Sequence, residues 1–474
     1  MIKKLLLVLV SGIITMGLEI TGFRIFPPYF GYSIYLWGCL LSVVLLSLSI
    51  GYYLGGILPN KFLKRIMICA TILLFITAAS YKFFLEWLSP MDIISGSALS
   101  SFILLFPPML FLSMISPMVI KELAQIKADS TGAHPITARS VGTSSGYVYA
   151  VSTIGSVVGT IVTAFFLIPT IGSRLTLYSL SVLFLIATIF YFLKDKKIFF
   201  LTLLLLTLMI NKQYNNYPFT LLDEKETQYS DLKILEHQGN LIMSSDTNVL
   251  VQTTRYKENR LSYYSFSGYF PELNNGKDML VLGTGGGEML RYMYERNDGI
   301  NVDTVEIDSQ VINFGEKYFN LSETKANIII MDARPFVNRL GDKKYDIMII
   351  DTYGSGSSLP FYMATLEFFQ KCREHLAPNG FVVMNIPDER MAKDIATTQL
   401  SVFSHVYRID IENTNNILVL GSDKPLKESL NGTSLTEYKS APGQVLTDDK
   451  SNIEFTNYLF LKEVKEQVGS FAKI

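Results

Sequence analysis

The fold class predicted for this 474-residue chain is an amino-terminal all-α multi-pass transmembrane bundle followed by an α/β domain carrying a small β-layer at its start. Two observations carry the prediction. Apolar runs long enough to cross a bilayer crowd the first part of the chain, and short β-type runs then alternate with helical ones around a glycine-rich turn. That turn lies in residues 279–308, MLVLGTGGGEMLRYMYERNDGINVDTVEID, which read as strand, turn, helix and second strand ending in acid. In nucleotide-binding α/β folds such glycines let the backbone approach a ligand, and the carboxylate beyond the next strand takes the ribose hydroxyls. Glu306 is that carboxylate.

Composition narrows the function further. A net charge of −1 gives no electrostatic basis for nucleic-acid binding. Cys39, Cys69 and Cys372 are widely separated and imply neither a disulfide framework nor a zinc site. His134, His237, His375 and His405 have no metal-pair spacing, so no metal is expected.

At the amino terminus, Lys3 and Lys4 precede an apolar run over 5–16 that could pass for a signal peptide. No small-residue cleavage site follows it and further apolar runs do, so it is expected to be a retained transmembrane helix. Further runs cover 33–58, 66–85, 94–120, 147–168 and 175–193, with a shorter one at 198–210, which makes about seven helices. Pro107, Pro108 and Pro117 predict kinks in the fourth. Gly155 and Gly159 form a small-xxx-small pair suited to close helix packing.

Basic residues fall on alternate connections: Lys3 and Lys4, then Lys61, Lys64 and Arg65, then Lys121, Lys127 and Arg139, then Lys194, Lys196 and Lys197. By the positive-inside rule the protein sits in the cell membrane with its amino terminus cytoplasmic. Residues 198–210 would extend only about 20 Å as a helix, which leaves the side of the following domain open.

Composition turns polar beyond residue 211, and the expected domains are 1–212, a β-layer over 213–265 and the α/β domain over 266–474. Alternation in 229–254 predicts the antiparallel β-layer. Strands follow at 327–332, 345–351 and 381–385, a helix at 367–376, a turn at 378–380, a helix at 393–402 and closing strands at 406–411 and 417–420. This order predicts a parallel, doubly wound Rossmann-type sheet with its ligands at the carboxyl ends of the strands.

At the level of motifs the chain resembles the class I S-adenosylmethionine-dependent transferases. Within them it is similar to the spermidine synthase (polyamine aminopropyltransferase) family, in its bacterial form with a fused multi-pass membrane region. The matching stretches are GTGGGEMLR at 283–291, VEID at 305–308, MDAR at 331–334, DTYG at 351–354, LEFF at 366–369 and TDD at 447–449. In the membrane part they are SGYVYAVSTIGSVVGT and FFLIPTIGSR. The resemblance implies a class I methyltransferase-like fold and S-adenosylmethionine or its decarboxylated form as co-substrate. It further implies that Gly283, Gly285 and Gly287 pass under the methionine-derived part of that donor and that Glu306 holds the ribose. Asp332 with Ala333 would face the adenine, Gln252 would give a further ribose contact, and Asp351 would be the catalytic carboxylate beside the sulfonium.

Two departures from the family pattern bear on the activity. Gly286 stands where aminopropyltransferases carry the aspartate that grips the propylamine, and Gly354 stands where they carry the aspartate expected to act as base. Glu288 lies close to the first position, and the segment 261–266, LSYYSF, offers Tyr263 and Tyr264 but no acid. The expected function is transfer of an aminopropyl or other alkyl group to an amine acceptor by a membrane-bound, homo-oligomeric enzyme. The alternatives are a methyltransferase acting on a membrane-proximal substrate, and a non-catalytic binding or transport protein.

Overall fold

The computed structural model describes residues 2–30, 33–131, 138–192, 219–245, 251–257, 262–354, 358–411, 414 and 416–471. The chain divides into two compact units, Met1–Asn215 and Asn216–Ile474.

The first unit is helical. Its elements are α1 (Ile2–Ile25), α2 (Pro27–Phe30), α3 (Ile34–Ile57), α4 (Leu63–Leu88), α5 (Ile93–Leu104), α6 (Phe106–Ser113), α7 (Ile115–Thr131), α8 (Ala138–Val162) and α9 (Ile168–Tyr191). Among the described residues, five helical stretches are long and apolar enough to cross a membrane. The last, Val141–Tyr191, has 51 residues, about 75 Å at the helical rise and more than twice a hydrocarbon core. It is broken where its sequence forbids a regular helix. Pro169 cannot donate to the preceding turn, a π-turn occupies Thr163–Leu167, and Gly172 has φ +76°.

The expected kinks fall at 105 and 114, just ahead of the prolines, and divide the 94–120 run into α5, α6 and α7. Residues 198–210 lie outside the described residues. Ser33 caps α3 by accepting from Leu36 N at 3.2 Å, and Asp92 caps α5 through Ile94 N and Ser95 N at 3.1 Å. The small-residue expectation holds where α1 meets α8. A Cβ on Gly12 would stand 2.5 Å from the Ser152 carbonyl oxygen, and one on Gly155 or Gly159 would strike the Leu9 or Ile13 carbonyl. Large apolar side chains point outward, among them Tyr147, Ile154, Phe165 at 72% exposure and Ile186. A bundle bathed in water would bury such residues.

The second unit opens with an antiparallel meander of β1 (Thr220–Glu226), β2 (Asp231–His237), β3 (Asn240–Ser245) and β4 (Val251–Arg255). The strand ahead of the alternating run is a fourth member of the predicted layer. Helices α10 (Tyr263–Ser267) and α11 (Pro271–Asn274) lead into β5 (Asp278–Leu282), α12 (Glu288–Arg296), β6 (Asn301–Glu306), α13 (Ser309–Phe319) and β7 (Asn327–Ile330). Next come α14 (Ala333–Asn338), β8 (Tyr345–Ile350), α15 (Leu366–Glu374), β9 (Leu376–Ile386), α16 (Glu389–Leu400), β10 (His405–Asp410) and β11 (Ile417–Ser422). The short strands β12 (Ser429–Leu430), β13 (Thr433–Ser434) and β14 (Thr436–Glu437) precede α17 (Ile453–Phe471).

The large sheet has the order β14-β10-β11-β9-β8-β5-β6-β7. Strands β7, β6, β5, β8 and β9 run parallel, while β11 pairs antiparallel with both β9 and β10. This is the class I methyltransferase-like Rossmann arrangement, with the predicted all-parallel sheet modified by an antiparallel hairpin at one side. The expected turn at 378–380 is absorbed into β9. The chain leaves β5 toward one side of the sheet and β8 toward the other, so the crevice where strand order reverses opens between them.

Candidate functional site

Strands β5 and β8 are buried over most of their length, and their carboxyl ends are held in register by the pair Leu282 and Ile350. The segments that follow them must therefore emerge side by side. After β5 comes the glycine turn, in which Gly283, Gly285 and Gly287 have φ +94°, +53° and +89°, values that disfavour any residue with a side chain. Space is equally restrictive at these positions. A Cβ on Gly283 would collide with the Asp351 carbonyl, one on Gly285 would sit 2.7 Å from Thr253 Oγ1, and one on Gly287 would meet Leu321. The turn is thus pinned between β4, the end of β8 and the segment after α13.

Glu306 ends β6 beside this turn. Its carboxylate accepts from the backbone amides of Thr284 at 3.2 Å, Gly285 at 3.3 Å and Asp308 at 3.1 Å. Burial pushes its carboxyl up to about 7, against the lowering effect of those amides. Asp332 caps α14 by accepting from Arg334 N at 3.0 Å, which sets Ala333 as the first helical residue at the end of β7. Gln252 lies on β4, its backbone carbonyl accepting from Tyr264 Oη at 2.8 Å. Among the described residues its side-chain Oε1 is buried without a hydrogen-bond partner. A lone buried acceptor of this kind is costly unless a ligand meets it.

Asp351 stands directly beyond β8, where burial pushes its carboxyl up to about 6 and a hydrogen bond from Asn385 Nδ2 at 3.0 Å opposes the rise. The hydroxyls of Tyr263 and Thr352 are also buried and, among the described residues, unpartnered. Tyr263, Tyr264 and Tyr353 lie within electrostatic reach of Asp351, and burial raises all three phenols. The expected donor-site residues are therefore arranged around one crevice: the glycine turn and Glu306 on one side, Asp351 on the other, Asp332 and Ala333 at the next strand, and Gln252 from the β-layer.

The structure accounts for the first of the two departures from the family pattern. A Cβ on Gly286 would face Thr253 Cγ2 at 3.0 Å and the Phe319 ring at 3.1 Å, and Gly286 N donates to Thr253 Oγ1 at 2.7 Å. The place for an acid is filled by apolar atoms. Glu288 does not substitute for it, because its side chain is 1% exposed and held by Arg255 at 2.6 Å and Arg291 at 2.9 Å. Arg255 comes from β4, 33 residues away in sequence, so helix-dipole reasoning at α12 could not reveal the pairing. Gly354 donates its amide to the Ser358 carbonyl at 2.8 Å.

Three of the matching stretches prove to hold one another. Arg334 makes a two-pronged pair with Asp448 at 2.9 and 2.6 Å, Thr365 Oγ1 donates to Asp448 at 2.7 Å, and Glu367 accepts from Asp448 N at 2.9 Å. MDAR, the start of the LEFF helix and TDD are therefore joined as a clamp. Sequence reasoning missed Thr253, Arg255, Asn385 and Asn416, none of which belongs to a local motif.

Residues 268–421 match the spermine/spermidine synthase domain family. A "Probable polyamine aminopropyl transferase" of Bifidobacterium longum (strain NCC 2705) is 30% identical over 203 residues, covering 41% of this chain and 45% of the relative. The polyamine aminopropyltransferase of Vibrio vulnificus (strain CMCP6) is 27% identical over 218 residues, 42% of this chain and 71% of the relative. The chain thus spans just under half the length of the first of these relatives. Among solved structures, a probable spermidine synthase from Corynebacterium glutamicum ATCC 13032 is 20% identical, with 49% of this chain and 97% of that one covered and a TM-score of 0.41. The spermidine synthase of Thermotoga maritima is 17% identical, covering 52% and 88%, with a TM-score of 0.36. Residues 268–421, in the carboxy-terminal part of the chain, are accordingly similar to the spermine/spermidine synthase domain family.

Proposed function

We propose that this protein is a membrane-bound transferase that moves an aminopropyl or other alkyl group from decarboxylated S-adenosylmethionine or S-adenosylmethionine to an amine acceptor. The observation that carries the proposal is the convergence of the glycine turn, Glu306 and Asp351 at the carboxyl ends of β5, β6 and β8, where strand order reverses. Glu306 holds the ribose and Asp332 with Ala333 borders the adenine. Gln252 directs its unpartnered oxygen to a ribose hydroxyl, and Gly283, Gly285 and Gly287 leave room for the donor's methionine-derived tail.

In the transfer, the acceptor nitrogen forms a bond to the carbon on the sulfonium while the carbon–sulfur bond breaks and its electron pair returns to sulfur. The residues have little covalent work to do. They hold nucleophile and carbon in line, and Asp351 takes the proton shed by the alkylated amine. The helical unit seats the chain in a lipid bilayer, with its exposed apolar side chains facing the acyl chains. Its amino terminus is cytoplasmic by the distribution of lysine and arginine.

Calorimetry on the full chain in detergent tests the proposal. Both S-adenosyl compounds are titrated against wild type and Glu306→Ala, with binding expected to the first and lost in the second. Binding of neither by wild type overturns it.

A second reading, methyl transfer from S-adenosylmethionine, is favoured by the tight space at Gly286 and the ion-paired Glu288, neither of which offers a propylammonium a free carboxylate. Product analysis separates the two, because aminopropyl transfer releases methylthioadenosine and methyl transfer releases S-adenosylhomocysteine.

A further inference from the structure

We propose that Asn385 and Asn416 form a two-amide relay that fixes the orientation of Asp351, occupying one of its oxygens so that the other is presented to the positive charge of the ligand. The proposal rests on the donor-site reading above and concerns two residues outside every motif that supports it.

The geometry is a chain of directed hydrogen bonds. Asn416 Nδ2 donates to Asn385 Oδ1 at 2.8 Å, and Asn385 Nδ2 donates to Asp351 Oδ1 at 3.0 Å. An ionised carboxylate only accepts, so the Asn385 amide must turn its NH2 toward Asp351 and its oxygen away. Asn416 then meets that oxygen with a donor and closes off the flipped arrangement. Backbone contacts hold both ends. Asn385 lies in β9, is 7% exposed, and has its carbonyl held by Tyr353 Oη at 2.7 Å. Asn416 immediately precedes β11, whose Ile417 pairs with Ile386 next to Asn385. The antiparallel hairpin that departs from an all-parallel sheet is thus what brings the second amide to the first.

A bare scaffold role would need no such pairing. Asp351 Oδ2 is left free of the relay, and a buried carboxylate with one oxygen fixed has few orientations in which to meet a sulfonium or an ammonium. The titratable groups facing Asp351 are the phenols of Tyr263 and Tyr264 on α10 and of Tyr353 beyond β8. Burial raises all of them, so each stays neutral while Asp351 titrates. Among the described residues, Asn385 is the neighbour that favours the ionised form, against burial, which opposes it.

The test compares two nucleosides that share the same amino-acid tail, on the full chain in detergent: S-adenosylmethionine, whose sulfonium is positive, and S-adenosylhomocysteine, whose sulfur is an uncharged thioether. Affinities are measured by calorimetry from pH 5 to pH 8, and their ratio is followed. Glu306 also titrates in this range, but both nucleosides carry the ribose it serves, so its contribution cancels in the ratio. In wild type the preference for the sulfonium should rise as Asp351 ionises near pH 6. In Asn385→Leu that rise should move upward by about one pH unit and shrink by about 10-fold, with S-adenosylhomocysteine affinity unchanged. Asn416→Ala, which leaves the direct bond in place, should move it in the same direction by less. An unmoved profile in Asn385→Leu, whatever its melting temperature, overturns the relay. Where Asn385→Leu does not fold, an unmoved profile in Asn416→Ala does so. Failure of wild type to bind either nucleoside overturns the donor-site reading and the relay with it, whereas normal binding with an unmoved profile overturns the relay alone.

Discussion

In the proposed donor site, Glu306 is a carboxylate whose position favours the ligand at the expense of the empty protein. Its carboxyl is raised from an ordinary value of 4.5 to about 7, so the folded chain binds its proton more tightly than the unfolded chain does. For a raised carboxyl the associated stability is complete below pH 4.5 and is lost as pH climbs through 7. Glu306→Gln removes that loss. The variant should melt at a similar temperature to wild type at pH 5 and a few degrees higher at pH 8, a difference on the order of 1–3 kcal/mol. It should bind S-adenosylmethionine roughly 100-fold more weakly, because the neutral amide is a poorer acceptor for two ribose hydroxyls. Gly286→Asp is the complementary experiment. Its carboxylate would be forced against Thr253 Cγ2 and the Phe319 ring, so it should destabilise by about 1–3 kcal/mol and give no gain in affinity for decarboxylated S-adenosylmethionine. Thermal melts and calorimetry check both variants.

Among the elements, the strands were the most legible part of the chain. β-branched and apolar runs ending in acid announced β6, β7 and β8, and the glycines placed the turn after β5. Within each βα unit the site residues follow a strand directly, so Glu306, Asp332 and Asp351 could be picked out by counting from the strand ends. What could not be read were contacts between units distant in sequence. Thr253 filling the space at Gly286, Arg255 holding Glu288, and Asn416 reaching Asn385 all depend on how the β-layer and the antiparallel hairpin dock. No local period or propensity encodes such docking.

The clamp between α14, α15 and the TDD stretch is of the same kind, and it is open to measurement. Arg334 is 16% exposed and Asp448 42%, so solvent screens part of their attraction. Arg334→Ala should cost about 1–3 kcal/mol, chiefly from the lost packing and the abandoned acceptors. A double-mutant cycle with Asp448→Ala should return a coupling of about 1 kcal/mol by denaturant unfolding. In the helical unit, Gly155→Leu should separate α1 from α8, since its Cβ has no space above the Leu9 carbonyl. Loss of folded protein on extraction into detergent would report it.

For the molecule as a whole, the proposed chemistry constrains which way the chain crosses the membrane. S-adenosyl donors are cytoplasmic metabolites, so a transferase domain that uses them must face the cytoplasm. With a cytoplasmic amino terminus, this demands an even number of crossings before the second unit. The described helices satisfy that count: α1, α3, α4, the broken α5–α7 stretch, and the 51-residue stretch taken as two passes. By sequence alone, the lysines at 194, 196 and 197, outside the described residues, agree with that count under the positive-inside rule. The run 198–210 lies outside the described residues; from its sequence, a helix of that length would reach about 20 Å, short of a hydrocarbon core of about 30 Å. Carboxy-terminal fusions to a fluorescent reporter that matures only in the cytoplasm, and to a phosphatase active only outside it, read the side directly. The fluorescent fusion should be bright and the phosphatase fusion silent. The reverse pattern would remove the donor from reach of Glu306 and Asp351, and with it the enzymatic reading of the crevice.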